Sequence, residues 1–234
     1  MKKLNGKIQI RYCEKKYIDL IDINEIDTVF ECGSRDGLDA IRIDMVYAPK
    51  NIYVFEPNPE GAKQCRDNLQ TYGKDHIKFF DVAVSNTDGI VDFYPSTEEN
   101  IGASSMFEYN SRANGWDGYK TNCFKSTQKD KISVTSIRID TFMKENNIDS
   151  IDLLCMDVQE AELLVLEGMG EHLNNVKYII LEVSGEGYYH NGARYDDIKN
   201  LLHSRGFKLV DLDKNAISRF GNAMFVLERE NTGQ

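Results

Sequence analysis

Two runs in the first quarter of the chain bring acids and glycines together at a spacing suited to holding a polar ligand. In Glu31-Cys32-Gly33-Ser34-Arg35-Asp36-Gly37 an acid precedes two glycines four positions apart. Gly33 can take a tight turn and let a ligand approach the backbone, and Gly37 can let the following helix pack closely. A turn built for a pyrophosphate would read G-x-G-x-x-G. Here Arg35 stands at the middle glycine position and acids flank the turn, which disfavours a phosphate and suits a ligand with a cationic sulfonium and an amino group. Further on, Phe55-Glu56-Pro57-Asn58 offers a carboxylate whose two oxygens match the two hydroxyls of a ribose. Asp81-Val82-Ala83-Val84 then offers an apolar slot and a polar edge for an adenine ring. Taken singly, each run is also what an ordinary turn, a surface acid before a helix or a core strand end looks like.

The elements that must position these runs follow a strict alternation. Thr28 to Cys32 reads as a buried strand and Leu38 to Tyr47 as an amphipathic helix. Asn51 to Glu56 is a second strand, followed by a helix from Pro59, a residue favoured at a helix start, to Tyr72. Strands are expected at Ile77 to Val82, Gly89 to Tyr94 and Ile132 to Ile137. The second half predicts strand Ile151 to Met156, helix Glu160 to His172, strand Tyr178 to Val183 and helix Tyr195 to Ser204. Lys208 to Leu212 and Ala223 to Glu228 follow as a closing pair. Strands alternating with helices require a mostly parallel, doubly wound α/β sheet covered on both faces, with ligands bound beyond the carboxyl ends of its strands. The polar stretch from Pro95 to Lys131 lacks sustained periodicity and is expected to be an insertion that either closes over substrate or pairs with a second subunit in a homo-oligomer. Residues 1–26 are expected to form a helical extension, and the whole chain one domain.

Composition narrows the partners. A formal net charge of −10 argues against holding nucleic acid through many phosphates, which needs a surplus of Lys and Arg. The five cysteines Cys13, Cys32, Cys65, Cys123 and Cys155 form no C-x-x-C pair and no zinc spacing with histidine, so they read as free thiols of a reducing, cytoplasmic compartment. The basic start at Met1 to Lys7 is not followed by an apolar run, and no stretch of about eighteen apolar residues exists, so neither a secretion signal nor a membrane span is expected.

In order along the chain, VFECGSRDG, YVFEPNPE, FFDVAVSNTDG, the Ser104-Ser105 step in NIGASSM, Ser136-Ile137-Arg138-Ile139-Asp140, IDLLCMDVQEAELLVLEGM and YIILEVS resemble the motifs of FkbM-type methyltransferases, from Thr28 to Glu228. The resemblance implies a Rossmann-like class I methyltransferase fold, a seven-stranded sheet with a closing antiparallel strand, and S-adenosylmethionine as donor. It also implies O-methylation, often on sugars of glycans or on natural products. Carried over residue by residue, it puts the methionine moiety near Glu31, Gly33 and Ser34, with Arg35 and Gly37 in the same turn. The ribose falls on Glu56, with Pro57 and Asn58 beside it, and the adenine near Asp81, Val82 and Ala83. Ser104, Ser105 and Asp157 lie close to the cofactor. One departure matters: where the family commonly has Asp-x-Glu-Gly-x-Glu, this chain reads Asp157-Val158-Gln159-Glu160-Ala161-Glu162, so that Gln159 replaces an acid and Glu160 a glycine.

Transfer of a methyl to a hydroxyl needs an in-line approach and removal of the hydroxyl proton, by a positioned base or by a metal that lowers its pKa. Asp157, at the end of an apolar strand, is a candidate for either role. Glu182 is the natural second acid, and the two carboxylates with waters would suit Mg²⁺. For Glu160 and Glu162, simple helix-start charge stands beside a part in the site's arrangement of acids. Of the histidines, His190 falls in a loop after the Glu182 strand and is a candidate base, whereas His76, His172 and His203 sit in polar or helix-end settings. Tyr188 and Tyr189, with Tyr109, Trp116 and Tyr119, are flat groups able to stack on a sugar ring or to pack an interface. The leading expectation is methylation of a sugar or glycan hydroxyl. The alternatives are a natural-product hydroxyl, a scaffold without turnover, and a nicotinamide oxidoreductase, which would need the missing G-x-G-x-x-G turn.

Overall fold

In the computed structural model, residues 11–110 and 128–228 are described. Trp116, Tyr119, Cys123 and the middle of the expected insertion lie outside them. The described chain begins with helix α1 (Lys15–Ile18), strand β1 (Thr28–Cys32), helix α2 (Leu38–Tyr47), strand β2 (Asn51–Phe55) and helix α3 (Pro59–Tyr72). Strands β3 (Ile77–Phe80), β4 (Ala83–Val84), β5 (Gly89–Phe93) and β6 (Ile132–Ile137) follow, then helix α4 (Ile139–Glu145). The chain continues through β7 (Ile151–Met156), α5 (Glu162–Glu167), β8 (Val176–Ser184), α6 (Tyr195–Ser204), β9 (Phe207–Leu212) and β10 (Phe220–Leu227).

Seven strands form one sheet in the order β3-β2-β1-β7-β8-β10-β9, and β10 runs antiparallel to both of its neighbours. The remaining pairings among β3, β2, β1, β7 and β8 are parallel. Strand alternation divides the core into two layers. From β1, β7 and β8, Phe30, Leu154, Met156, Ile179 and Leu181 face one side, where α4, α5 and α6 cover them with Phe142, Val165, Leu166, Ile198 and Leu202. Val29, Leu153, Cys155 and Ile180 face the other, against Tyr17 of α1 and Ala40, Ile43 and Tyr47 of α2. Burial on both faces explains the nearly unbroken apolar reading of β7 and β8. Cys13, Cys32, Cys65 and Cys155 are buried free thiols. Among the described residues no helix is long and apolar enough to cross a membrane.

The structure departs from the sequence expectations in three places. The strand expected from Ile77 to Val82 stops at Phe80, and Ala83–Val84 joins a second, three-stranded sheet in the order β4-β6-β5. Helix α4 was not expected; its Phe142 meets Phe30, Tyr53, Phe55 and Phe80 edge-on, with ring centroids 4.9 to 5.7 Å away. The helix expected from Glu160 to His172 is split into α5 and a 3-10 turn, Gly170–Asn175. Gln159 and Glu160 have left-handed φ of 57° and 65°, so no α-helix can begin there. At the other end Gly168 lies so close to Ser85 that a Cβ would sit 2.1 Å from the Ser85 carbonyl oxygen.

Candidate active site

Because β3, β2, β1, β7 and β8 are adjacent and parallel, their carboxyl ends bring Asp81 to Ala83, Glu56, Glu31 to Ser34, Asp157 and Glu182 to one edge of the sheet in that order. Beyond this edge opens a cleft. Gly33, Arg35, Glu56, Pro57 and Asp157 line it on the polar side. Phe55, Val82, Ala83, Val84, Phe93 and Met106 supply an apolar wall, and Ser104 lies among the lining residues as well.

Each strand end is held by its neighbours. Gly33 has φ 81°, and a Cβ there would stand 2.0 Å from the Asp157 carbonyl oxygen, so only glycine lets β1 leave the sheet this close to β7. The Asp157 N–H in turn donates to the Cys32 carbonyl at 3.0 Å. The buried Glu56 carboxylate accepts the Arg35 N–H on Oε2 and the Asn58 N–H on Oε1, both at 2.8 Å. Burial outweighs these bonds and pushes its pKa up to about 7. Asn58 caps α3, where its Oδ1 accepts the Glu60 N–H at 3.0 Å, and its Nδ2 donates to the Ser104 hydroxyl at 2.7 Å. Behind the cleft wall, Glu31 is fully enclosed, and burial followed by the nearby Asp39 drives its carboxyl well above the ordinary range. Among the described residues Glu31 Oε2 and Ser34 Oγ are buried and make no hydrogen bond of full geometry, although the Ser34 hydroxyl is near enough to favour the Glu31 charge. Gly37 caps α2 from behind, with no side chain toward the cleft.

At the β7 end, Asp157 Oδ2 pairs with the guanidinium of Arg11, a lining residue that no motif signalled. Asp157 Oδ1 and Glu182 Oε2 each accept from the same Gln159 Nε2, both at 2.7 Å. The magnesium expectation finds no support here: the space between the two carboxylates is bridged by an amide NH₂ and flanked by a guanidinium, a set of donors that does not suit a cation. Among the described residues no group of three or more His, Cys, Asp or Glu is placed to hold a metal.

Other expected residues stand elsewhere. The Asp81 carboxylate is mostly exposed, pairs with Arg66 at 3.0 Å and is not part of the cleft lining. Ser105 is buried behind the lining, where its hydroxyl donates to the Gln159 carbonyl at 2.8 Å. His190 is exposed on its loop and is anchored through its backbone N–H to the Glu108 carbonyl at 2.8 Å. Glu162 does belong to the first turn of α5, and its Oε1 accepts the Val158 N–H at 2.9 Å. Glu160 does not belong to that helix: its buried carboxylate reaches across to the loop after β8. Phe93, Met106 and Arg11 were missed because they come from an edge strand, from the insertion and from a segment ahead of the first strand.

A strand-end carboxylate on the cleft wall, an enclosed acid and hydroxyl behind it, a glycine pressed on the backbone and an apolar slot beside them together fit a nucleoside with a cationic amino-acid tail. The model of the FkbM methyltransferase domain matches residues 31–209. The 2-O-methyltransferase NoeI of Sinorhizobium fredii is 32% identical over 184 residues, which cover 78% of this chain and 72% of that protein. The hexuronic acid methyltransferase AglP of Haloferax volcanii is 24% identical, over 78% of this chain and 64% of its own length. An rRNA methylase of Streptococcus thermophilus shares the fold alone, with a TM-score of 0.50 at 10% identity over 91% of this chain and 92% of that one. The chain therefore belongs to the FkbM family of S-adenosylmethionine-dependent methyltransferases.

Proposed function

We propose that the chain transfers a methyl group from S-adenosylmethionine to a hydroxyl of a sugar or glycan. One observation carries this reading: the Asp157 carboxylate lines the same cleft as Gly33 and Glu56, so that a base and a donor site share one wall. The names of two relatives, a 2-O-methyltransferase and a hexuronic acid methyltransferase, support a hydroxyl on a sugar.

In this reading the Gly33 backbone holds the amino-acid end of the donor, with the enclosed Glu31 and Ser34 directly behind it. Glu56 holds the ribose through the oxygen lone pairs that its two backbone N–H groups leave over. Val82 and Ala83, with Phe55, Phe93 and Met106, take the adenine. Arg35, Pro57, Asn58 and Ser104 keep this wall in shape, and Ser105 ties it to the β7 turn. The donor supplies an electrophilic methyl carbon bonded to a sulfonium. The acceptor oxygen forms the new C–O bond as the C–S bond breaks, and its proton passes to Asp157, with Glu182 as the neighbouring acid of this edge.

The test is transfer from labelled donor to a panel of methyl glycosides and free hexuronic acids, with catechol and simple alcohols as controls, read by mass spectrometry. Addition of one methyl to a sugar hydroxyl is expected. Transfer confined to the non-sugar controls, by a protein that binds S-adenosylhomocysteine, would overturn the sugar reading.

A further inference from the structure

Where the family resemblance leads one to expect an acid and a glycine, this chain has Gln159 and Glu160, both in the left-handed region at φ 57° and 65°. That conformation is costly for any residue with a Cβ, by roughly 1 kcal/mol each. The side chains must therefore return something to the site, and their contacts indicate what.

The buried Glu160 carboxylate accepts the Tyr188 N–H on Oε1 at 2.9 Å. Its Oε2 accepts the Tyr189 N–H and Arg194 Nη1, both at 3.1 Å. Two backbone donors and a guanidinium thus fasten the loop after β8 to the turn after β7. That loop buries Tyr189, whose hydroxyl lies 2.9 Å from both Gln159 Oε1 and the Ala103 carbonyl. The hydroxyl has one proton for these two acceptors; shared with Gln159 Oε1, it supports the amide orientation that the two carboxylates favour. The NH₂ end is then turned to Asp157 Oδ1 and Glu182 Oε2, one proton for each.

We propose that Gln159 and Glu160 form a positioning couple: Glu160 fastens the Tyr189 loop, and Tyr189 orients the Gln159 amide that sets the directions of Asp157 and Glu182. Resting on the reading of these acids as the proton-accepting edge, the couple would link the loop after β8 to the orientation of the base. Neither residue touches the reacting atoms; both act through Asp157. Gln159 further allows two carboxylates to share one edge where a third acid would repel them, with Arg11 facing Asp157, and Glu160 and Glu162 the other acids of the turn.

The test compares Glu160→Gly, which suits the local backbone, with Tyr189→Phe, which keeps the ring and removes the hydroxyl. The first readout is the side-chain NH₂ signal of Gln159 in nitrogen-15 NMR spectra, assigned by its loss in Gln159→Ala. In wild type it should exchange slowly, and in both variants about tenfold faster or more, while S-adenosylhomocysteine binding measured by calorimetry stays within about threefold. Backbone exchange at Tyr188 and Tyr189 should rise in Glu160→Gly alone. With an active glycoside, Tyr189→Phe should lower kcat at constant KM, whereas Glu160→Gly should also raise KM. An unchanged Gln159 signal in both variants overturns the couple, as does an unchanged kcat in Tyr189→Phe. Because the NMR readout needs no acceptor, failure of every glycoside would count against the sugar reading and leave the couple decided by the spectra.

Discussion

If the ribose of the donor rests on Glu56 as proposed, replacement of this residue reports most directly on donor binding. Burial raises its pKa from 4.5 to about 7, although two backbone N–H groups favour the charge. The fold thus holds the proton more tightly than the unfolded chain does. Stabilisation from this group is full below about 4.5 and is lost as the pH rises through about 7, a change of about 3 kcal/mol at about 1.4 kcal/mol per pKa unit. Ribose hydroxyls donating to the carboxylate favour its ionised form, so binding should expel the proton. The ionised fraction grows from about a tenth at about pH 6 to about nine-tenths at about pH 8, and affinity for S-adenosylhomocysteine should rise about tenfold over that range. In Glu56→Gln the dependence should flatten. Affinity near pH 8 should drop about five- to thirtyfold, because a charge-assisted acceptor becomes a neutral one worth about 1 to 2 kcal/mol less. The glutamine must also turn its NH₂ toward either the Arg35 or the Asn58 N–H, so thermal unfolding should report about 1 to 3 kcal/mol of lost stability. Calorimetry at three pH values, in two buffers of different ionisation enthalpy, measures both affinity and protons released. A wild-type protein that binds without proton release across this range, or a glutamine variant that keeps the same dependence, would refute the assignment of the ribose to Glu56.

Gly33→Ala should lose donor binding and at least about 2 kcal/mol of stability in urea, since its Cβ would meet backbone 2.0 Å away at a left-handed φ. Native stability in that variant would contradict the packing of β1 on the β7 turn. Asp157→Asn should keep S-adenosylhomocysteine affinity and lower kcat by about 10²- to 10⁴-fold, the usual span for loss of a positioned base. Wild-type turnover should survive prolonged EDTA treatment, and recovery of a lost rate on adding Mg²⁺ would reopen a metal role for Asp157 and Glu182.

Much of the fold is legible because burial on both faces leaves an unambiguous mark. The bounds expected for β1, β7, α2, α3 and α6 coincide with those found. Signals failed where tertiary contacts override local pattern. Ile139 to Glu145 is barely two turns, too short for its spacing to declare itself, and it is a helix because Phe142 has four rings to cover. The apolar periodicity of residues 160 to 172 is genuine, but left-handed residues at one end and a backbone contact at Gly168 cut the helix short. In the site, acids at strand ends could be read because the topology alone aligns them on one edge. Asp81 misled because its strand turns away after Phe80 and leaves the carboxylate to Arg66. Arg11 carried no signal, and nothing about a glutamine in place of an acid announces that its amide joins two carboxylates.

The place of β1 in the sheet also bears on how the protein emerges from synthesis. One flank of β1 pairs with β2, some twenty residues later, but the other pairs with β7, more than a hundred residues on. The rings of Phe30, Tyr53, Phe55 and Phe80 likewise wait for Phe142. Until that part of the chain has left the ribosome, the growing polypeptide carries an open strand edge beside an uncovered aromatic face, the combination most prone to pair with another chain. The aligned carboxyl ends of the strands and this open edge of the growing chain thus arise from one decision in topology, the seating of the first strand in the middle of the sheet.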